Sequence, residues 1–307
     1  MQLIVPFAGV LSEAGRHAAQ ELSLPHLERL LAGASALAPL GHDERSLSAP
    51  HELALAQAIG WPLIDGLLPW AARSAQRDGL APSARPLGLL TPVHLHLGTE
   101  QVRLTDPAQL ALDDVDARAL FAALQPLFGD AGFGLHWGHA TRWYVEHESL
   151  ANFATASLDR VIGRNVDPWL PPARDARAWQ TLLSETQMLL HAHAVNEQRE
   201  TRGVPTVNSL WLSGCGAVGS SSATDEPAVD DRLRASALGE DWAAWSEAWR
   251  TLDAGPLAQL LDAPDGATLT LAGERRALPF TLHNPSGWQR LRAAWRRQPV
   301  HAVLDGL

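Results

Sequence analysis

The sequence predicts an α/β protein with a mixed sheet and flanking helices. Three observations carry that expectation. Apolar and polar residues alternate near residues 93–104 and again over 268–282, the period of half-buried strands. Elsewhere apolar residues recur at spacings of three and four, the period of helices packed by one face. The 307 residues, 46% of them hydrophobic, suffice to bury such layers around a core.

Taken in order, Met1-Gln2-Leu3-Ile4-Val5-Pro6-Phe7 reads as a first buried strand, because it lacks the basic flank and length of a signal segment. Residues 12–80 are rich in Ala and Leu. Leu27, Leu30 and Leu31 form one helical stripe, and Leu53, Leu55, Ile59, Leu63 and Leu67 predict more helix, interrupted at Pro62. Residues 41–50 and 81–86 read as loops. This predicts a mainly helical N-terminal region over 1–86 and an α/β core over 87–307, an arrangement also compatible with one continuous domain.

Val93, Leu95 and Leu97, then Val102 and Leu104, predict a hairpin turning at residues 98–101. Leu120, Leu124, Leu127 and Phe128 mark a helix. A second hairpin is expected over 133–145, turning near Gly138-His139-Ala140. Trp179, Leu182, Leu183, Thr186 and Leu190 lie on one face of a long helix expected over 173–203, stopped by Gly203 and Pro205. A short strand follows at 207–212, then a Ser- and Asp-rich loop at 219–231. Trp242, Trp245, Trp249 and Leu252, and later Trp288, Leu291 and Trp295, read as buried helix stripes. Residues 268–271 and 277–282 read as strands between them.

Composition narrows the function. All 24 basic residues are Arg, which excludes Lys Schiff-base and P-loop chemistry, and the net charge is -10. A nucleic-acid partner is not expected, because phosphate binding needs a basic field. Arg290, Arg292, Arg296 and Arg297 read as a solvated helix face. The single cysteine, Cys215, fits a reducing compartment, so a cytoplasmic protein is expected. No apolar run reaches the roughly 18 residues that span a bilayer, so no membrane partner is expected.

The candidate site lies within 163–216. Gly163-Arg164-Asn165-Val166-Asp167-Pro168-Trp169-Leu170-Pro171 gathers a guanidinium, an amide, a carboxylate and an indole. Arg164 and Asn165 can grip a phosphate or carboxylate. Equally, an Arg–Asp pair can pin the loop. Asn196 and Arg199, three apart on one helix face, lead toward Asn208 and Ser209. Gly214 and Gly216 free the backbone for close approach to a ligand. Gly214-Cys215-Gly216-Ala217-Val218-Gly219 also matches a dinucleotide glycine pattern, but no clean βαβ unit follows. Cys215 reads as a small buried residue or as a nucleophile at a turn. His94 and His96 share a strand face, while His191 and His193 would diverge on a continuous helix.

The motifs Leu90-Thr91-Pro92-Val93-His94, Arg142-Trp143 and Thr155-Ala156-Ser157-Leu158-Asp159-Arg160 join those two segments in one pattern. Over about residues 87–216 this pattern resembles the RpfE-type regulatory proteins, many of which carry a phosphoglycerate mutase label. Residues 193–216 are similar to archaeal-type cofactor-independent phosphoglycerate mutases. That resemblance implies an alkaline-phosphatase-like fold in degenerate form, with two divalent metals and a Ser nucleophile acting on a phosphoryl group. The chain departs from it at two places. Met1 to Gly9 holds no Asp where that family opens with Asp-Gly, and no Asp-His-x-Thr-like motif follows Gly216. His283-Asn284 and Asp305-Gly306 are poor substitutes.

Two functions are therefore weighed. The first is a regulatory or small-anion-binding protein without mutase catalysis and without a cofactor. Its ligand pocket for a phosphorylated or carboxylate small molecule is expected from Arg164, Asn165, Asp167, Asn196, Arg199, Asn208, Ser209, Gly214 and Gly216. The second is a phosphoglycerate mutase or phosphotransferase with rearranged ligands. It would take Mn, Zn or Mg on His94, His96, Asp167 and His193, with Ser209 or Ser213 as nucleophile. A scaffold acting on a protein partner through exposed Trp residues is a third possibility.

Overall fold

The computed structural model describes residues 1–41, 43–81, 85–99, 101–171, 173–217, 226–283 and 299–307. In chain order the strands are β1 (Gln2–Val5), β2 (Ala34–Ala36), β3 (Leu87–Val93), β4 (Leu95–Leu97), β5 (Val102–Leu104) and β6 (Gly134–His139). Then come β7 (Arg142–Glu146), β8 (Ser209–Ser213), β9 (Ala228–Val229), β10 (Thr268–Ala272) and β11 (Ala277–Leu282). Helices separate them, so the fold class is α/β with mixed strand directions, as predicted.

The chain forms two compact units. One comprises Met1–Glu44, Ala49–Pro62 and Ser221–Leu307; the other comprises Arg45–Ser48 and Leu63–Ser220. This differs from the boundary expected at residue 86. The physical reason is sheet pairing: β1 hydrogen-bonds to β9 and β10, more than two hundred residues away, so the C-terminal part folds with the N-terminal part. The N-terminal region is also less purely helical than expected, because β2 pairs with β11 at the edge of the same sheet.

The first unit holds a sheet in the order β2-β11-β10-β1-β9. β9, β1 and β10 run parallel, while β11 and β2 run antiparallel to their neighbours. Leu3, Ile4 and Val5 are all buried, as a central parallel strand covered on both faces requires. Helices Glu13–Gln20, Pro25–Ala32 and Trp242–Leu252 supply the rest of that core. Trp245 and Trp249 are fully enclosed, so this Trp stripe is core, as read from its spacing. Asp253, itself buried, accepts the backbone N–H groups of His26 (3.3 Å) and Leu27 (2.8 Å) at the start of helix Pro25–Ala32. It caps that helix from a distance, since Leu24 has no capping oxygen.

The second unit holds an antiparallel sheet in the order β6-β7-β3-β8. The β6–β7 hairpin forms where expected, with a bulge between Trp137 and His139. β4 and β5 form a separate ribbon where the hairpin is expected, with Leu95 opposite Leu104 and Leu97 opposite Val102, while Val93 belongs to β3. β3 is central, yet it carries Pro92. Its pairing with β7 covers Leu87 to Leu90 only, so Pro92 sits where one flank needs no donor.

The long helix predicted over 173–203 is two helices, Ala173–His191 and Ala194–Thr201. His193 leaves helical geometry (φ -84°, ψ 134°), and its Nδ1 accepts the Val195 N–H at 3.2 Å. The side chain acts as an N-cap, a role that composition does not suggest for His. The Ser- and Asp-rich stretch expected as loop includes β9 in its described part. The stripe of Trp288, Leu291 and Trp295, the Arg290–Arg297 cluster and Asn284 lie outside the described residues, as do Val218 and Gly219 of the glycine pattern.

Candidate functional site

Residues 163–166 run along β5. Gly163 N–H donates to Leu104 O (2.8 Å), Leu104 N–H to Arg164 O (3.4 Å) and Val166 N–H to Val102 O (2.9 Å). Asn165 Oδ1 accepts the Asp167 N–H at 3.3 Å, closing an Asx turn. Arg164 and Asn165 are half-buried and Asp167 is exposed, while Val166 and Trp169 turn into the core. The loop is thus shaped by its backbone and anchored by its apolar residues.

The donors expected to grip an anion are committed within the protein. Asn196 is buried; its Nδ2 donates to Leu190 O (2.7 Å) and Val207 O (2.8 Å), and its Oδ1 accepts the Val207 N–H (2.9 Å). Arg199 is 1% exposed. Its Nε donates to Pro205 O at 2.9 Å, one terminal nitrogen donates to Leu110 O, and the other pairs with Asp116 at 3.4 Å. Arg202 reaches the same carboxylate at 2.8 Å. Asn208 exchanges both amide atoms with the Leu95 backbone, at 2.7 and 2.9 Å, and so moors the β4–β5 ribbon. Asn196, Arg199 and Asn208, expected as ligand groups, thus serve as cross-links within the protein. Buried amides and guanidinium groups must be satisfied, and carbonyls at the helix ends and turns beside them supply the acceptors.

Gly214 and Gly216 adopt φ +64° and +142°. A Cβ on Gly214 would lie 2.9 Å from Ala71 N, and one on Gly216 would lie 2.7 Å from Leu67 O. The close approach expected toward a ligand is thus made to the protein's own backbone at residues 67–71. Between the two glycines, Cys215 is fully buried, and burial pushes its thiol up to about 12. A nucleophile reading does not fit such a thiol.

What the segment does build is a cavity of about 110 Å³ inside the second unit. The short turn Asp167–Trp169 supplies Trp169, helix Ala173–His191 supplies Trp179 and Gln187, and β8 supplies Ser209 and Trp211. Thr155 completes the lining. Trp179, Leu183 and Gln187 are four apart, so one helix face carries all three. Gln187 Nε2 donates to Ser209 Oγ at 3.1 Å, and Trp211 Nε1 donates to Ala156 O at 3.1 Å. Thr155 Oγ1 is buried and makes no hydrogen bond, with only the Cys215 thiol, a weak partner, interacting with it. Of the predicted site residues, Ser209 lies on this cavity. The polar signal that marks it in sequence is Gln187, one amide within an apolar helix stripe.

Next to β6 and β7, Arg142 forms a two-pronged pair with Asp78 at 2.5 and 2.7 Å, and Tyr144 Oη donates to the same carboxylate at 2.6 Å. The Arg142 hydrogen bond holds the Asp78 carboxyl below its ordinary range against the opposing effect of burial. Burial, then the Asp78 contact, pushes the Tyr144 phenol up. Arg142 lies in the motif that carried the resemblance; its partner Asp78 gave no signal in sequence.

In the first unit, parallel sheets bind ligands beyond the carboxyl ends of their strands. Here that crevice is filled. A Cβ on Gly9, just past β1, would lie 2.3 Å from Leu304 O and 2.9 Å from Leu307 Cβ. One on Gly273, just past β10, would lie 2.5 Å from Leu307 Cβ. The Leu307 carbonyl accepts the N–H groups of Arg275 and Arg276, both at 2.8 Å. Phe7 stands at the end of β1 with φ 56°, a rare conformation for a bulky residue, and its carbonyl accepts Trp245 Nε1 at 3.0 Å. The carboxylates described at that end of the sheet are held by the chain itself: Glu274 accepts the Leu11 N–H at 2.9 Å, and Asp230 pairs with Arg232 at 2.7 Å.

The metals implied by that likeness need clustered carboxylates and imidazoles. Among the described residues, no three His, Cys, Asp or Glu side chains are grouped to hold a metal ion. His94 Nδ1 instead lies 2.9 Å from Thr206 O. The described residues do not fit such a pair of metals. No described helix is long and apolar enough to cross a membrane.

No protein-family model matches the chain. No curated protein matches it by sequence. Among solved structures the chain is similar to the PH0037 protein from Pyrococcus horikoshii, with 12% identity and a TM-score of 0.50, over 99% of this chain and 94% of that one. It also aligns with a cofactor-independent phosphoglycerate mutase from Thermoplasma acidophilum DSM 1728. There the identity is 13% and the TM-score 0.37, over 100% of this chain and 98% of that one. The likeness to PH0037 is one of fold.

Proposed function

We propose that this chain is a regulatory, ligand-binding protein of RpfE type, related to the phosphoglycerate mutases in framework and without mutase catalysis. The observation that carries this reading is the filled crevice beyond β1 and β10, where Leu304 and Leu307 meet Gly9 and Gly273. A phosphoryl donor needs that space and a set of charged groups around it. The internal commitments of Asn196, Arg199 and Asn208 to the protein's own carbonyls and a carboxylate support the same reading.

The test is a coupled assay for interconversion of 2- and 3-phosphoglycerate on purified protein, before and after addition of Mn, Zn or Mg. The expected result is no conversion above the protein-free rate under any condition. Metal-dependent turnover that disappears in Ser209→Ala would establish the mutase alternative and overturn this reading.

A further inference from the structure

We propose that the cavity framed by Trp169, Trp179 and Trp211 binds a single aromatic ring bearing one hydrogen-bonding substituent, a phenol-like small molecule. Thr155 and Ser209 are its polar contacts. The proposal rests on the reading of the chain as a binding protein and names the class of ligand.

Three features point to this class. The first is the wall. Three indoles from three different elements meet there, and aromatic side chains favour rings in offset or edge-on contact. Trp211 already donates its N–H to Ala156 O, so its indole offers the cavity apolar surface and no free donor. The second is size. Apolar cavities of roughly 150 Å³ take benzene. At about 110 Å³, below that benchmark but open to solvent, this cavity is sized for one ring rather than for a larger ligand. Leu170, 45% exposed, is among its lining residues, which leaves room for a substituent to project.

The third feature is unused hydrogen-bonding capacity at buried positions. Thr155 is 6% exposed and Ser209 1% exposed. Thr155 Oγ1 meets only the weak Cys215 thiol, and Ser209 Oγ accepts from Gln187 with no acceptor for its own proton among the described residues. A buried hydroxyl left unpaired costs free energy, so such groups on a cavity wall mark where a ligand's polar atom belongs. Two hydroxyls and one amide, with no charged side chain among the described lining residues, favour a neutral ligand over a phosphate.

The experiment is calorimetric titration of the intact protein with phenol, benzene and indole, repeated on Thr155→Val and Leu183→Trp. Phenol is expected to bind saturably and about tenfold more tightly than benzene, the worth of one buried hydrogen bond. Indole is expected not to bind. Thr155→Val keeps the volume and removes the hydroxyl, so the preference for phenol should fall toward one. Leu183→Trp fills the cavity and should abolish binding while the circular dichroism spectrum is retained. Absence of saturable phenol binding, or phenol binding that survives both substitutions unchanged, overturns the proposal. The mutase assay is run on the same preparation. Failure of phenol binding without turnover removes this ligand class alone, whereas turnover removes the binding-protein reading itself.

Discussion

Arg199 carries a full charge at 1% exposure, and its guanidinium bonds to Pro205, Asp116 and Leu110 within the protein. Such a group is a liability unless all partners stay in place, and removing one side of a buried ion pair typically costs about 3–5 kcal/mol. Arg199→Met should therefore lower unfolding free energy by about 3 kcal/mol in urea titration. A loss under about 0.5 kcal/mol would return Arg199 to the ligand-binding role read from its spacing. Asp78 tests a different electrostatic point. Its folded pKa lies below the ordinary carboxylate value of 3.8, so its contribution is fully present above that value and is lost as pH falls through the folded pKa. Wild-type protein should then be more stable than Asp78→Asn at neutral pH, by about 1–2 kcal/mol after allowing for the exposure of Arg142. The two unfolding curves should converge in acid; a constant gap would show that the carboxylate charge is not what matters. Cys215, by contrast, should be silent: no reaction with a thiol reagent in the native state and one thiol per chain after unfolding.

Local elements form where one physical rule dominates and shift where a side chain overrides it. Asn208 is a case in which a single residue joins two elements, through two hydrogen bonds to Leu95. Asn208→Ala should cost about 1–3 kcal/mol and increase amide exchange in the ribbon of Leu95–Leu97 and Val102–Leu104. Unchanged exchange there would mean the ribbon holds by itself. The hairpin at residues 134–146, that ribbon, the Trp242–Leu252 helix and the final strand pair were legible because alternation and helical spacing are local signals. The break at His193 was not, since it depends on an imidazole capping the next helix, and the apolar stripe continues across it. For the candidate segment, spacing shows which residues draw together and not what each side chain bonds to. Residues 163–216 do frame a cavity, but Asn196, Arg199 and Asn208 face carbonyls and a carboxylate that sequence spacing does not reveal.

On the scale of the whole molecule, strand pairing decides the organisation. β1 joins β9 and β10, so the two ends of the described chain share one core and residues 63–220 form the other. A linear reading of composition sees a helical start and a mixed remainder, because pairing over more than two hundred residues leaves no local trace. The same pairing brings Gly9 and Gly273 side by side and makes their missing side chains the condition for Leu304 and Leu307 to enter. The claim that this crevice is closed by the chain itself is tested most directly by Gly9→Ala. With a Cβ 2.3 Å from Leu304 O, the substitution should destabilise the protein by about 1–3 kcal/mol in urea titration. A neutral or stabilising outcome would mean that the crevice beyond β1 stands open, and would contradict the account.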